Sequence, residues 1–302
     1  MMLDGIFHPA QAFVLVPMTP HRYGLKAMST PPLPIAGDML PAIRESCIEA
    51  GEIALNLFRP GARTAARTWS KSGGSPVTEA DIGVDTFLRI RLSVLLPEAA
   101  WLSEETVDDA LRLSRRFVWV VDPIDGTRAY MGGSPDWAVC VALLDEGVPI
   151  LGVVHAPACQ ATYTASRGGG AFLNGAAIAT SKLTTLTDAR IAGPKPMLDA
   201  LARLEDFQAV EKIPSLALRL TRIADATIDA GLISPDARDW DLAAADLILR
   251  EAGGQLNSPD GQAAIYNREI PVHGMLVASG DNLAAPLLAS LQRMRDGQSQ
   301  RV

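Results

Sequence analysis

The apolar run Val118-Trp119-Val120-Val121 passes directly into Asp122-Pro123-Ile124-Asp125-Gly126-Thr127. A run of this kind predicts a buried strand, and its two aspartates then emerge at the strand's carboxyl end, where α/β sheets commonly present ligands. Pro123 fixes the backbone between them, and a spacing of three lets both side chains bend to one side. Gly126-Thr127 stands where a short helix would begin, with amide N–H groups free to take an anion. Hard cations such as Mg2+ are held by a few carboxylates together with water and phosphate oxygens. The hexapeptide therefore reads as a metal and phosphate site. Its alternative reading is a set of turn and N-cap aspartates, which follow many strands.

The rest of the composition narrows the ligand chemistry. Against 34 Asp+Glu the chain has 4 His and 3 Cys. Cys47, Cys140 and Cys159 are scattered without C-x-x-C spacing, so they build neither a zinc cluster nor a disulfide framework, and a reducing, cytoplasmic compartment is expected. With 27 Lys+Arg the net charge is −7, and no basic run is present. That argues against a nucleic acid polymer or an anionic membrane as partner. No stretch reaches the ~18 apolar residues of a membrane span, so no membrane insertion is expected.

Residues 1–37 differ from the remainder. The apolar run Ala12 to Val16 is short, lacks a cationic segment before it, and is followed by Pro17, Pro20, Pro31, Pro32 and Pro34. These residues read as a flexible leader, or as translation begun upstream of Met28 or Met39. From Asp38 the spacing of Leu40, Ile43, Cys47, Gly51 and Ala54 predicts a helix ending at Arg59-Pro60-Gly61. The polar stretch Arg63 to Pro76 around Lys71 reads as a mobile loop, and a second helix starts at Thr78. Strands follow at Phe117 to Val121, Ala138 to Leu144, Ile150 to His155 and Ala161 to Ala165. Turn signals at Asp145-Glu146-Gly147 and Asn174-Gly175 suit antiparallel neighbours. Residues 38–185 thus read as a helix pair on an antiparallel sheet, an α+β half. Residues 186–302 alternate in α/β fashion: short strands near Arg190 and over Gln208 to Lys212, helices near Pro196 to Leu204, from Ser215 and from Trp240, a strand at Met275 to Ala278, and a last helix from Leu283 to Met294.

Further acids stand at element ends. Glu104 and Glu105 follow the short apolar run Ala100 to Ser103, Asp241 opens the apolar helix after Trp240, and Asp81 lies three residues after Thr78. Each has a plain alternative: a solvated acidic loop, a first-turn charge on the helix dipole, and a capping box.

Taken together, these residues resemble the inositol monophosphatase superfamily, the lithium-sensitive, Mg2+-dependent phosphomonoesterases. The motifs that carry the resemblance are Leu102-Ser103-Glu104-Glu105, the Asp122 to Thr127 hexapeptide, and Trp240-Asp241 running to Glu251-Ala252-Gly253-Gly254. Lys71 and the segment Pro76 to Asp81 match the family's lysine loop and the aspartate that follows it. The likeness spans about Asp38 to Gln292; Ser103 departs from it, since many members have glycine there.

The resemblance implies a layered αβαβα sandwich. It places a first Mg2+ on Glu104, Asp122 and the Ile124 carbonyl, a second on Asp122, Asp125 and Asp241, and a weaker third near Glu104 and the Lys71 loop. It makes Glu104 and Thr127, the latter paired with Asp81, the groups that orient the attacking water, with Gly126 and Thr127 amides holding the phosphoryl oxygens. His155 and the cysteines have no part in that chemistry. Branches of the superfamily hydrolyse inositol monophosphates, adenosine 3',5'-bisphosphate, fructose bisphosphate or histidinol phosphate. Arg128-Ala129-Tyr130 and Ile213 to Arg219 are similar to the 3'(2'),5'-bisphosphate nucleotidases. The glutamate that grips inositol has no counterpart in Leu232 to Arg238. The expected substrate is therefore adenosine 3',5'-bisphosphate, with Ser215, Asp241 and the cations Arg128, Arg219 or Lys195 around it; inositol 1-phosphate comes second, and another small sugar or alcohol phosphate such as histidinol phosphate third. Arg128 and Arg219 read equally as surface or structural ion-pair residues. A non-catalytic regulator on the same fold would be expected to have lost ligands that are all present here. Many members are homodimers, which the resemblance carries over. Lithium at millimolar or lower concentration should inhibit Mg2+-supported hydrolysis; full activity in that range would contradict close kinship.

Overall fold

The computed structural model describes residues 34–71 and 74–299. The leader expected over 1–37 lies outside them, except that its last residues open the first helix. That helix, α1 (Pro34–Leu55), begins ahead of Asp38, where the sequence places it. The short strands β1 (Thr68–Ser70) and β2 (Pro76–Thr78) lead into α2 (Glu79–Leu95). Then come β3 (Ala100–Ser103), β4 (Phe117–Asp125), α3 (Thr127–Gly132), β5 (Ala138–Asp145), β6 (Val148–Ala156), β7 (Ala161–Ser166), β8 (Gly170–Leu173) and β9 (Ala176–Ala177). The remainder comprises β10 (Arg190–Ala192), α4 (Lys195–Leu201), β11 (Gln208–Ala209), α5 (Leu216–Ala224), β12 (Ala230–Ile233), α6 (Asp239–Glu251), β13 (Gly254–Asn257), β14 (Leu276–Gly280) and α7 (Asp281–Ser299).

Strands β3 to β9 form a seven-stranded sheet in sequence order, and β11-β10-β12-β14-β13 form a five-stranded one. Helices α1 and α2 cover one face of the larger sheet around Ile43, Leu88, Trp119 and Val141. Between the two sheets lie α5 and α6, whose Leu220, Ile223, Leu242 and Ile248 fill the central core. On the far side of the smaller sheet, Leu198 of α4 and Leu287 and Leu291 of α7 close the third core. The layers run αβαβα, because each sheet face and each helix stripe is apolar and must be covered.

Local chemistry explains most boundaries. Thr78 caps α2 through its hydroxyl, and Asp81 returns the bond to the Thr78 N–H at 2.8 Å, a full capping box. Both hairpin turns adopt left-handed pairs, Glu146-Gly147 at φ 49° and 79° and Asn174-Gly175 at φ 50° and 85°, matching the twist of the strands they join. Gly253, at φ 85°, follows the end of α6.

Beyond the start of α1, the structure differs from the sequence reading in three further places. Within the polar stretch read as a mobile loop, Thr68–Ser70 pairs antiparallel with Pro76–Thr78, and the Lys71 N–H donates to the Ser75 carbonyl at 2.8 Å. The first sheet is not wholly antiparallel: β3 pairs parallel to β4, Ala100 opposite Val118. An intervening excursion from Glu104 to Arg116 makes that crossover possible. The strand expected over Gln208 to Lys212 shortens to β11, since it pairs with β10 only at Arg190 and Ile191.

One close approach positions the second layer. A Cβ on Gly152 of β6 would lie 2.8 Å from the Ala244 carbonyl of α6. Gly152 and the small residues Ala243-Ala244-Ala245 thereby let α6 seat directly on the sheet. Replacing Gly152 by Val should destabilise the fold by about 1–3 kcal/mol through overpacking, read as a lower urea midpoint; an unchanged midpoint would contradict this seating.

Candidate metal and phosphate site

Residues three apart on a regular strand point to opposite faces. Asp122 and Asp125 escape this rule because the β4–β5 register shifts between them: Asp122 sits opposite Cys140 and Asp125 opposite Ala138. The extra residue is a bulge at Pro123-Ile124 that re-aims the second carboxylate. Its shape is held by the Ile124 N–H, which donates to Asp122 Oδ1 at 3.0 Å. Asp241 arrives from the first turn of α6, where its Oδ2 accepts the Arg238 N–H at 2.7 Å. One oxygen from each of Asp122, Asp125 and Asp241 lies within 4.8 Å of the others.

Three carboxylates this close and this buried are costly when charged. Burial raises Asp122 well above the ordinary carboxylate range, and the charges of Glu104, Asp125, Asp241 and Asp81 raise it further. Asp241 is raised in the same way, by burial and then by Asp125. Asp125 is pushed up to about 6 by burial, against the pull of the Ser215 hydroxyl and the Ala217 N–H at 2.7 Å. The donor set is all oxygen and strongly negative. It fits hard divalent cations, whose charge would reverse the local electrostatics.

Around the trio stand the other residues singled out from sequence. The Thr127 hydroxyl is 3.2 Å from Asp81 Oδ1 and 3.0 Å from the Ile124 carbonyl, so its single proton has two acceptors. Asp81, fully buried, is pushed up to about 6 by desolvation. Gly126 caps α3 at φ 92°, and a Cβ there would meet the Asp136 carbonyl at 2.9 Å. The first N–H groups of α3 have no acceptor within the helix. Glu104 does not join the trio. Its Oε1 accepts from Lys71 Nζ at 2.9 Å, and the same ammonium reaches Glu105 at 2.6 Å. Burial pulls Lys71 down, but the two glutamates outweigh it and hold its pKa above the usual value. Burial likewise lifts Glu105 to about 7 despite Lys71.

The residues expected to face substrate are held in different ways. Arg128 is exposed on α3, directly after Thr127. Ser215 is fully buried; its hydroxyl donates to Asp125 and accepts the Leu218 N–H at 3.1 Å, capping α5. Arg219 is half-buried, its guanidinium given to the carbonyls of Ile213 at 2.9 Å and Leu232 at 3.2 Å. Lys195 lies exposed on the outer helix α4, paired with Asp199 at 2.9 Å. Ser215, Arg219 and Lys195 each have a partner within the protein. Sequence reading missed Asp85, whose carboxylate binds Ser103 and Thr106. The available signal was its place four residues after Asp81, on the same face of α2.

Comparison with known proteins gives a consistent picture. The model of the inositol monophosphatase family matches residues 38–295. A histidinol-phosphatase of Mycobacterium tuberculosis is 34% identical over 67% of this chain and 82% of its own length. An inositol-1-monophosphatase of Mesorhizobium japonicum is 31% identical over 74% and 85%. The 3'(2'),5'-bisphosphate nucleotidase CysQ of Aggregatibacter actinomycetemcomitans is 30% identical over 66% and 77%. Among solved structures, an IMPase of Thermotoga maritima superposes with a TM-score of 0.74 at 24% identity, covering 86% of this chain and 99% of that one.

Changing Asp241 to Asn keeps the acceptor for the Arg238 N–H but removes one of three mutually repelling charges. The metal-free variant should be more stable than the wild type, by on the order of 1 kcal/mol. At about 100-fold excess over its Kd, Mg2+ should stabilise the wild type by ~2.7 kcal/mol, and this gain should vanish in the variant. Thermal melts with and without Mg2+ check both; an undiminished Mg2+ shift would contradict the trio as a cation site.

Proposed function

The chain belongs to the inositol monophosphatase family, and on that premise we propose that it is a Mg2+-dependent phosphomonoesterase that removes the 3'-phosphate of adenosine 3',5'-bisphosphate. Hydrolysis of small phosphate monoesters is the chemistry of its relatives. The observation that carries the reading is the convergence of Asp122, Asp125 and Asp241 within 4.8 Å, at a strand end beside the first turn of α3.

In this reading Asp122, Asp125 and Asp241, with Glu104 and the Ile124 carbonyl, would hold two Mg2+; a third would lie near Glu104 and Lys71. When bound, such cations neutralise phosphoryl and leaving-group charge and make water a better nucleophile. The protein's own groups do the rest. By giving its proton to Asp81, Thr127 leaves its oxygen lone pairs to accept a hydrogen from the attacking water. Glu104, whose Oε1 accepts from Lys71, supplies a carboxylate that can orient the water and take its proton. The Gly126 and Thr127 N–H groups orient the phosphoryl oxygens, as free amides at a helix start do. The chemistry needs no covalent phosphoenzyme.

Substrate choice rests on fewer residues. Of the cations Arg128, Arg219 and Lys195, we assign the second phosphate of a bisphosphate to Arg128, which is exposed beside Thr127 and can grip it bidentately. A second reading, histidinol phosphate, is favoured by the 34% identity to the mycobacterial histidinol-phosphatase, against 30% to the nucleotidase. Inositol 1-phosphate is the third candidate, supported by the 31% identical relative. A homodimer in the cytoplasm belongs to the same proposal. Among the described residues no helix is long and apolar enough to cross a membrane.

A panel of the three esters with Mg2+ tests this. Adenosine 3',5'-bisphosphate should give the highest kcat/KM, and Arg128→Ala should lower that value by roughly 10-fold or more, the loss of a charge-assisted contact, while sparing the monophosphates. A higher kcat/KM for histidinol phosphate or inositol 1-phosphate would overturn the nucleotidase assignment.

A further inference from the structure

Glu104 and Glu105 lie on an irregular segment between the edge strand β3 and a short 3-10 helix at Ala110–Ser114. Its backbone is tied to the sheet by the Glu104 N–H, which donates to the Val121 carbonyl at 3.3 Å. Lys71 adds bonds to the Glu104 carbonyl at 3.3 Å and to both glutamate side chains, yet an irregular segment needs further anchors on the core to hold a ligand-bearing side chain in place. Two hydroxyls bracket it. Ser103 Oγ donates to Asp85 Oδ1 at 2.5 Å, and Thr106 Oγ1 donates to Asp85 Oδ2 at 2.9 Å. Ser103 Oγ in turn accepts the Glu105 N–H at 3.3 Å. Asp85 is buried at 7% exposure, and both of its oxygens are occupied by residues on either side of the glutamate pair.

Helix geometry puts this carboxylate where it is needed. Asp85 lies one turn after Asp81, on the same face of α2. The upper carboxylate holds Thr127 and the lower one holds both ends of the Ser103 to Thr106 segment. One rigid helix thereby references two separate parts of the site to each other. We propose that Asp85 is a positioning residue: it clamps Ser103 and Thr106 so that Glu104 is presented to the cation site at a fixed distance from Asp122. It touches neither substrate nor cation. The inference rests on the reading of Glu104 as a metal ligand, and it concerns how this chain fixes that ligand.

The variants are Asp85→Asn, Asp85→Ala and the double change Ser103→Ala with Thr106→Ala, all in the full chain. The direct measurement is Mn2+ binding followed by electron paramagnetic resonance, alongside melting temperature and the Mg2+ dependence of hydrolysis. Loss of a residue that orients a metal ligand weakens metal affinity by roughly 10- to 100-fold. Asp85→Ala should show a loss of that size in Mn2+ affinity, with ester KM at saturating Mg2+ unchanged. Asp85→Asn, whose amide keeps one acceptor oxygen, should fall between it and the wild type. Combining Asp85→Ala with the double hydroxyl variant should add nothing further, since all three residues form one unit. If Asp85→Ala does not fold, Asp85→Asn and the hydroxyl pair decide the matter. Wild-type Mn2+ affinity in those folded variants would overturn the clamp and leave the function untouched. A wild type that binds no Mn2+ and hydrolyses no phosphomonoester would overturn the functional reading and the clamp with it.

Discussion

Like charges gathered out of water repel one another and forfeit hydration, and the fold holds Asp122, Asp125 and Asp241 against both costs. Each carboxylate leans on donors supplied by a different piece of structure: the bulge N–H of Ile124, the Ser215 hydroxyl and Ala217 N–H at the start of α5, and the Arg238 N–H ahead of α6. These elements meet because α5 and α6 are sandwiched between the two sheets, with Gly152 and the alanines of α6 permitting the close contact. Packing energy from three apolar cores is thus what keeps an electrostatically unfavourable cluster in place. A divalent cation would turn that cluster from a destabilising feature into a stabilising one.

Several residues serve the fold and the site with one side chain. Asp81 completes the capping box of α2 through Oδ2 and meets Thr127 through Oδ1. Asp241 caps α6 through Oδ2 while a carboxylate oxygen faces its two partners. Ser215 caps α5 and supports Asp125. A cap fixes a carboxylate's position to the helix start, and a site needs that fixity. The plain readings of Asp81 and Asp241 as capping residues and their reading as site residues are therefore compatible.

The hexapeptide Asp122 to Thr127 made the central feature legible, because a hydrophobic strand running into two aspartates and a glycine has few structural uses. Periodicity located α1, α2, α5, α6 and α7, and the Asp145 to Gly147 and Asn174-Gly175 signals gave the two hairpins. The layer order came from the family resemblance, since no local pattern states which sheet face a helix will cover. Sequence spacing did not reveal the β4 bulge, which depends on register with β5, nor the parallel β3–β4 pairing, which depends on how the excursion between them folds. Charge alone did not show the intramolecular partners of Arg219 and Lys195. The guanidinium of Arg219 is given to backbone carbonyls, which no sequence pattern states, whereas the Lys195–Asp199 pair follows from their spacing of four.

The central claim is that a divalent cation belongs between these carboxylates. Crystals grown or soaked in millimolar Mn2+ and measured at the manganese absorption edge test it most directly. The account predicts anomalous difference density in contact with Asp122, Asp125 and Asp241. Well-ordered carboxylates with no anomalous peak between them, or Mn2+ bound only elsewhere on the protein, would contradict it.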